Sequence, residues 1–157
     1  ENADSLDIDR KRIHISGNSA GGHLVTLLMQ RDWPEKLGLP PDLIAGGCAI
    51  SGIYDLTPVM LSIKNEILNL SPEDVERFSP IRHIPEEASE LLFFVGSEET
   101  NEFLVQQEEI QQSWQNAGLQ SSAEICPGRN HIDILIQEFA DPTSSMNQRV
   151  RTQMGIL

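Results

Sequence analysis

The sequence predicts an α/β fold in which a parallel sheet of about four strands is flanked by helices. Two observations predict it. Short apolar segments alternate four times with segments of helical character along the 157 residues. The first change from strand to helix occurs at a glycine-flanked serine, Gly17-Asn18-Ser19-Ala20-Gly21. Because strands joined by helices run parallel, their carboxyl ends meet at one edge of the sheet, where such folds bind ligands.

The glycine-flanked serine has the form of a nucleophile elbow. The residues around it are strand-forming before the serine and helically spaced after it: Ile13, Ile15, Leu24, Leu27 and Leu28. In the Gly-x-Ser-x-Gly pattern the serine lies on a strained turn, and the two glycines let the strand and helix backbones pass closely. The pattern therefore predicts an exposed Ser19 hydroxyl, with the Ala20 amide facing a developing oxyanion.

The composition is that of one globular domain. Hydrophobic residues make up 39%, charged residues 22%, and the formal net charge is -13. Binding to nucleic-acid phosphates or to an anionic membrane requires clustered Lys and Arg on the protein. We therefore expect neither a nucleic-acid nor a membrane partner. The chain has no apolar run of about 20 residues and no signal-peptide pattern, so we expect a cytoplasmic protein. Cys48 and Cys126 fall in predicted strands separated by a third strand, too far apart for a disulfide.

A second apolar strand over residues 43–51 leads to Tyr54 and Asp55 at the predicted ligand edge. These two side chains could line a substrate pocket. In an equally strong alternative, the aromatic ring covers the end of the sheet and the carboxylate caps the next turn. The sequence leaves both interpretations open.

Residues 91–95 form the clearest buried strand, and an acidic turn follows it. Glu98 or Glu99 in this turn could orient a histidine, although acidic runs usually face solvent. A helix is expected over residues 103–118, with Ile110 and Trp114 on its buried face.

His131 follows the last predicted strand, at residues 122–126, in a loop at the same edge as Ser19. We therefore interpret it as the catalytic base. The other three histidines are expected inside the first strand, on the first helix and at the opposite end of the third strand: His14, His23 and His83. Asp133 is interpreted as an acid at a helix N-terminus.

The order Ser19, Glu99, His131 is that of the α/β-hydrolase fold. The chain resembles the C-terminal half of that fold, with residues 1–157 forming part of a single domain. Within the fold it resembles the kynurenine formamidase (arylformamidase) and related carboxylesterase branch. Five blocks carry the resemblance: residues 17–24, 51–56, 78–81, 99–104 with Gln106 or Gln107, and 130–135. In such enzymes the acid lies a few residues before a Glu-Phe pair, which favours Glu99 over Glu98, although many relatives carry Asp there.

The resemblance implies a serine hydrolase that acts without metal or cofactor. Its substrate would be a small carboxylic ester or an aryl formamide similar to N-formylkynurenine, cleaved through an acyl- or formyl-serine intermediate. A general carboxylesterase or lipase-like enzyme is the alternative within enzymes. A catalytically incomplete half-fold that acts as a binding or scaffolding piece is the alternative outside them.

The sequence departs from the family pattern at its start. The fold normally supplies earlier strands and a His-Gly-Gly loop that completes the oxyanion hole, and this chain has no His-Gly dipeptide. We expect the first strand to be an exposed edge that pairs with an N-terminal fragment or a second copy. The isolated chain is expected to be a weak catalyst, because loss of one oxyanion donor costs about 10²- to 10³-fold in rate.

Overall fold

A computed structural model describes residues 2–3, 5–30 and 33–157 of the chain. Its centre is a four-stranded sheet with the order β1-β2-β3-β4. The strands are β1 (Ile13–Asn18), β2 (Ile44–Ile50), β3 (Leu91–Gly96) and β4 (Ser121–Cys126). Every neighbouring pair is parallel. The predicted fold class is therefore confirmed.

Helices connect the strands and cover both faces of the sheet. They are α1 (Ala20–Gln30), α2 (Trp33–Lys36), α3 (Thr57–Met60), α4 (Asn65–Leu68), α5 (Pro72–Phe78), α6 (Asn101–Asn116) and α7 (Ser145–Gln153). A 3₁₀ turn spans Pro80–Arg82 and a π-helical turn spans Leu135–Phe139. Residues 57–70 are apolar with few charges, which predicts one or two short helices, and the structure has two there, α3 and α4. The sequence predicts a helix that begins near Asp133. In the structure, the chain after His131 forms the π-helical turn, and α7 begins later.

The core has one layer on each face of the sheet, and β3 supplies both. All six residues of β3 are buried. Phe93 packs with residues of α1 and α6 in one cluster, whereas Phe94 packs in a second cluster with Ile134 and Met146. Successive side chains of a strand point to opposite faces, so a strand covered on both sides is apolar throughout. This explains the continuous apolar run in the sequence.

Two helices follow their sequence signals closely. Ser71 caps α5 through a reciprocal capping box with Asp74, and Pro72 occupies the first turn. On α6, Ile110 and Trp114 are fully buried. α6 thus packs its apolar stripe on the sheet and presents its amino end to the acidic turn after β3.

β1 lies at the edge of the sheet, and among the described strands only β2 pairs with it. The expected open edge is thus present. β3 separates Cys48 on β2 from Cys126 on β4, and both thiols are free. Burial raises the pKa of each thiol to about 12. No helix among the described residues is both long and apolar enough to cross a membrane.

Candidate active site

The serine of the elbow has a left-handed backbone. Ser19 has φ 58°, a conformation that few residues other than glycine adopt. Its amide donates to the carbonyl of Ile50 at 2.9 Å, which fixes the turn to the end of β2. α1 begins at Ala20, so the Ala20 amide has no acceptor within the helix. The elbow thus combines a strained serine with a free helix N-terminus.

The close approach at the elbow depends on Gly17 and Gly22. A Cβ on Gly17 would lie 2.4 Å from the backbone of Gly21. A Cβ on Gly22 would lie 2.9 Å from the carbonyl oxygen of Ile50. Gly21 itself would accept a Cβ with no described atom within 4 Å. Of the two glycines expected to allow the close approach, Gly17 has no room for a side chain, whereas the Cβ position of Gly21 faces away from the crossing among the described residues.

Glu99 and His131 form the second part of the site. Nδ1 of His131 lies 2.6 Å from Oε2 of Glu99, and the carboxylate side chain is only 1% exposed. The Phe103 ring packs against the imidazole with 4.8 Å between ring centroids. Glu98 is exposed, and its amide donates to the Arg129 carbonyl. Glu99 is thus the acid of this turn that contacts the histidine.

The second oxygen of Glu99 is held by a residue that the sequence analysis did not single out. The Ser51 hydroxyl donates to Oε1 at 2.5 Å, and the Gly96 amide donates to the same oxygen at 2.9 Å. Ser51 follows β2 directly, is 1% exposed and has φ 48°. Its place at a strand end within a resembling block was the available signal. The sequence could not show that its hydroxyl reaches the acid.

Backbone bonds join the acidic turn to the histidine loop. The Glu98 amide donates to the Arg129 carbonyl at 2.9 Å, and the Gly128 amide donates to the Ser97 hydroxyl at 2.8 Å. A Cβ on Gly96 would lie 2.1 Å from the same Arg129 oxygen, so the two loops touch where only glycine fits. These contacts therefore hold the loop of Glu99 against the loop of His131.

The loop that carries His131 is closed by its neighbours. The Asn130 side-chain amide donates to Asp133 at 2.9 Å, and the Asp133 backbone amide donates to the Asn130 side chain at 3.0 Å. This reciprocal pair resembles a helix cap and gives Asp133 the structural position expected for it. Arg129 also forms an ion pair with Glu138 at 2.7 Å.

Ser19 and His131 emerge at the same sheet edge but are not hydrogen-bonded. Ser19 follows β1, whereas His131 lies five residues after β4. Among the described residues, no hydrogen bond joins the Ser19 hydroxyl to the imidazole. Such bonds are often long before substrate binds. The sheet edge therefore carries the Glu99–His131 pair and the left-handed Ser19, without a hydrogen bond between Ser19 and His131.

Tyr54 and Asp55 make structural contacts. Tyr54 is fully buried and packs edge-to-face on Phe93 with ring centroids 5.6 Å apart. Asp55 accepts bonds from the Thr57 amide at 2.8 Å and the Thr57 hydroxyl at 2.6 Å. These are the covering and capping roles of the alternative interpretation. A cleft of about 280 Å³ lies nearby, lined by Ile53, Pro58, Val59, Ser62, Lys64, Thr100, Glu102, Phe103 and Gln106.

The other histidines lie away from the acid. Nε2 of His23 donates to the Phe78 carbonyl at 2.8 Å, which joins α1 to the end of α5, and burial lowers the pKa of His23. His83 is 2.6 Å from the Glu76 carbonyl. His14 lies within β1, as expected, and its buried Nδ1 has no hydrogen-bond partner among the described residues. Within the described ranges, no group of three His, Cys, Asp or Glu residues could hold a metal ion.

Comparison with known proteins identifies the family. The sequence profile of the prolyl oligopeptidase family matches residues 2–154. The chain belongs to this family. It is also similar to two curated kynurenine formamidases, from Danio rerio (31% identity over 148 residues) and Salmo salar (28% identity over 149 residues). Each alignment covers 91% of this chain and 50% of the relative.

Solved structures carry the same fold. An acetyl ester-xyloside bifunctional hydrolase from Caldicellulosiruptor lactoaceticus superposes with a TM-score of 0.74 at 15% identity, over 99% of this chain and 61% of that one. At this identity the likeness shows the fold alone. The chain thus has an α/β-hydrolase fold, and it spans about half the length of the curated relatives it matches.

Proposed function

We propose that this chain carries the catalytic residues of a serine hydrolase, with Ser19 as nucleophile, His131 as base and Glu99 as acid. One observation carries the proposal: the 2.6 Å contact between Glu99 and His131 at the sheet edge where the strained Ser19 emerges. A carboxylate on Nδ1 keeps the proton on that nitrogen and leaves Nε2 free to accept another. A buried acid aimed at a partly exposed imidazole is what this chemistry needs.

The reaction follows from these roles. Nε2 of His131 takes the hydroxyl proton as Oγ of Ser19 attacks the substrate carbonyl carbon, and the Ala20 amide stabilises the oxyanion. The imidazolium then gives its proton to the leaving alcohol or amine, which departs as the acyl–oxygen or acyl–nitrogen bond breaks. Water, deprotonated by His131, then attacks the acyl- or formyl-serine. The bond from the acyl carbon to Oγ breaks, His131 returns its proton to Ser19, and the carboxylic or formic acid leaves. Glu99 stabilises the imidazolium in both halves of the reaction.

For the substrate, we propose an aryl formamide similar to N-formylkynurenine, with small carboxylic esters as the second candidate. Similarity to two kynurenine formamidases supports the formamide. The apolar cleft beside Phe103, of about 280 Å³, has room for a longer acyl group as well as for an aryl leaving group, which supports small esters as the second candidate. A formamidase should strongly prefer formyl groups over longer acyl groups.

We also propose that residues 1–157 are the C-terminal part of one hydrolase domain and that the open edge of β1 pairs with another strand. The open edge and the coverage of half of each relative support this. The strand would come from an N-terminal segment or from a second copy of the chain. Light scattering at several protein concentrations tests whether two copies of the chain associate. A chain that is monomeric at every concentration would contradict pairing with a second copy.

Intact-mass spectrometry after treatment with a fluorophosphonate tests the catalytic proposal. We expect one adduct on the wild-type chain, no adduct on Ser19→Ala, and a much slower reaction for His131→Gln. Circular dichroism of each variant controls for folding. A folded wild-type chain that forms no adduct, or an adduct that persists in Ser19→Ala, would contradict the proposal and favour a binding or scaffolding role. Turnover of N-formylkynurenine and of p-nitrophenyl butyrate then separates the two substrate classes.

A further inference from the structure

The carboxylate of Glu99 is held at both of its oxygens. Oε2 faces Nδ1 of His131 at 2.6 Å, whereas Oε1 accepts from the Ser51 hydroxyl at 2.5 Å and from the Gly96 amide at 2.9 Å. A distance of 2.5 Å is typical of a hydroxyl that donates to an ionised carboxylate. The Ser51 bond is therefore the shortest contact that fixes the plane of this carboxylate.

The backbone at Ser51 indicates that its side chain is needed there. Ser51 has φ 48°, in the left-handed region that glycine adopts most readily. The left-handed position is occupied by serine, although the next residue, Gly52, is a glycine. Strain at a buried position persists where the surroundings or the function require it. Among the described residues, the Ser51 hydroxyl makes one hydrogen bond, to Glu99.

Two residues at the ends of neighbouring strands donate hydrogen bonds to the Glu99 carboxylate. Gly96 closes β3, three residues before Glu99, and donates through its backbone, so its bond survives side-chain changes. Ser51 directly follows β2, 48 residues before Glu99, and is anchored by its own amide, which donates to the Phe94 carbonyl at 2.7 Å. If the Ser51 hydroxyl is removed, the Gly96 amide is the donor that remains to Oε1 among the described residues. The carboxylate can then rotate away from His131.

We propose that Ser51 is a positioning residue, whose hydroxyl holds the Glu99 carboxylate in the orientation that aligns His131. This inference rests on the proposed function. Ser51 acts through Glu99 and does not touch substrate. The alternative is a structural role, in which the hydroxyl merely satisfies a buried oxygen and its loss changes stability alone.

Substitution by glycine and by alanine separates the two roles. Both Ser51→Gly and Ser51→Ala remove the hydroxyl, but only glycine relieves the left-handed backbone, so Ser51→Gly should melt at the higher temperature. Ser89→Ala is the matched control, since that hydroxyl donates to the Ile44 carbonyl at 2.7 Å at the opposite end of the sheet. Adduct formation at Ser19 is followed at several fluorophosphonate concentrations, which gives the maximal rate and the half-saturating concentration.

The positioning role predicts that both Ser51 variants lose about 10- to 100-fold in maximal rate, with the half-saturating concentration unchanged. Ser89→Ala should keep the wild-type rate. A Ser51→Gly variant that is as stable as wild type and reacts within about twofold of its rate would overturn the inference. So would rates that follow the melting temperatures, with Ser51→Gly recovering what Ser51→Ala loses.

A spectroscopic measurement keeps the test independent of Ser19 reactivity. The proton between His131 and Glu99 should give a downfield ¹H NMR signal, assigned by its loss in His131→Gln. We expect the signal to shift or broaden in Ser51→Gly and to stay unchanged in Ser89→Ala. An unchanged signal in Ser51→Gly would overturn the inference even if the wild-type chain forms no adduct. The absence of a wild-type adduct would count against the proposed function alone.

Discussion

Nδ1 of His131 lies 2.6 Å from Oε2 of Glu99, although 32 residues separate them in the chain. The contact forms because β3 and β4 are parallel neighbours whose carboxyl ends deliver both residues to one edge. The backbone bond from Glu98 to Arg129 then joins the two loops. An acid and a base from different strand ends are thus brought together by the parallel topology.

Glu99→Gln should lower the rate of fluorophosphonate adduct formation at Ser19 by roughly 10⁴-fold, the loss known for an acid-to-amide change in a serine protease triad. The amide can present its NH₂ group to Nδ1, which places the imidazole proton on the wrong nitrogen. Glu98→Gln is the matched control, because Glu98 is exposed and uses only its backbone amide at the site. We expect Glu98→Gln to react with the fluorophosphonate at a rate within about twofold of that of wild type. Equal losses in the two folded variants would show that Glu99 is not the acid.

The sheet and the elbow could be predicted because both depend on local patterns. Four strands with intervening helices can form only a few sheets, and a strand buried on both faces is apolar at every position. His131 could be singled out because parallel topology decides which strand ends share an edge. The choice of Glu99 over Glu98 needed a family resemblance, since both acids lie in the same turn.

The contacts that complete the site depend on distances across the sheet, which residue patterns do not contain. Ser51 reaches Glu99 because two neighbouring strands end side by side and because its backbone is left-handed. The roles of Tyr54 and Asp55 likewise could not be decided from the residue pattern. Burial of the Tyr54 ring against Phe93 is a matter of tertiary packing. Strand ends can therefore be predicted more readily than the side-chain contacts between them.

Gly17→Ala and Gly21→Ala should differ in stability, although both change the same motif. The Gly17 Cβ would lie 2.4 Å from the Gly21 backbone, which cannot move without displacing α1 from β1. We expect a loss of about 2 kcal/mol or more in the free energy of unfolding. Gly21→Ala meets no described atom and adds a better helix former, so its stability should stay equal or rise by up to about 1 kcal/mol.

Urea unfolding followed by circular dichroism measures both changes through the transition midpoint at constant slope. Fluorophosphonate reaction of the folded variants then reports whether the elbow keeps its shape. Similar midpoints for Gly17→Ala and wild type would mean that the strand and helix do not cross as closely as described.

The pH dependence of stability should include a contribution from His23. Burial lowers the pKa of His23 below the ordinary value of 6.5, against a smaller opposing effect of its bond to the Phe78 carbonyl. The unfolded chain therefore binds the proton first as the pH falls. Stability is unaffected by this group well above pH 6.5, and it decreases as the pH falls from about 6.5 to the lower pKa of the folded state.

His23→Gln separates this contribution from that of the carboxylates. Glutamine offers an N–H donor for the Phe78 carbonyl, which His23 contacts at 2.8 Å, but does not titrate. We expect the difference in unfolding free energy between pH 7.5 and pH 5 to be smaller for the variant than for wild type. Equal differences would mean that His23 is protonated as easily in the folded chain as in the unfolded one.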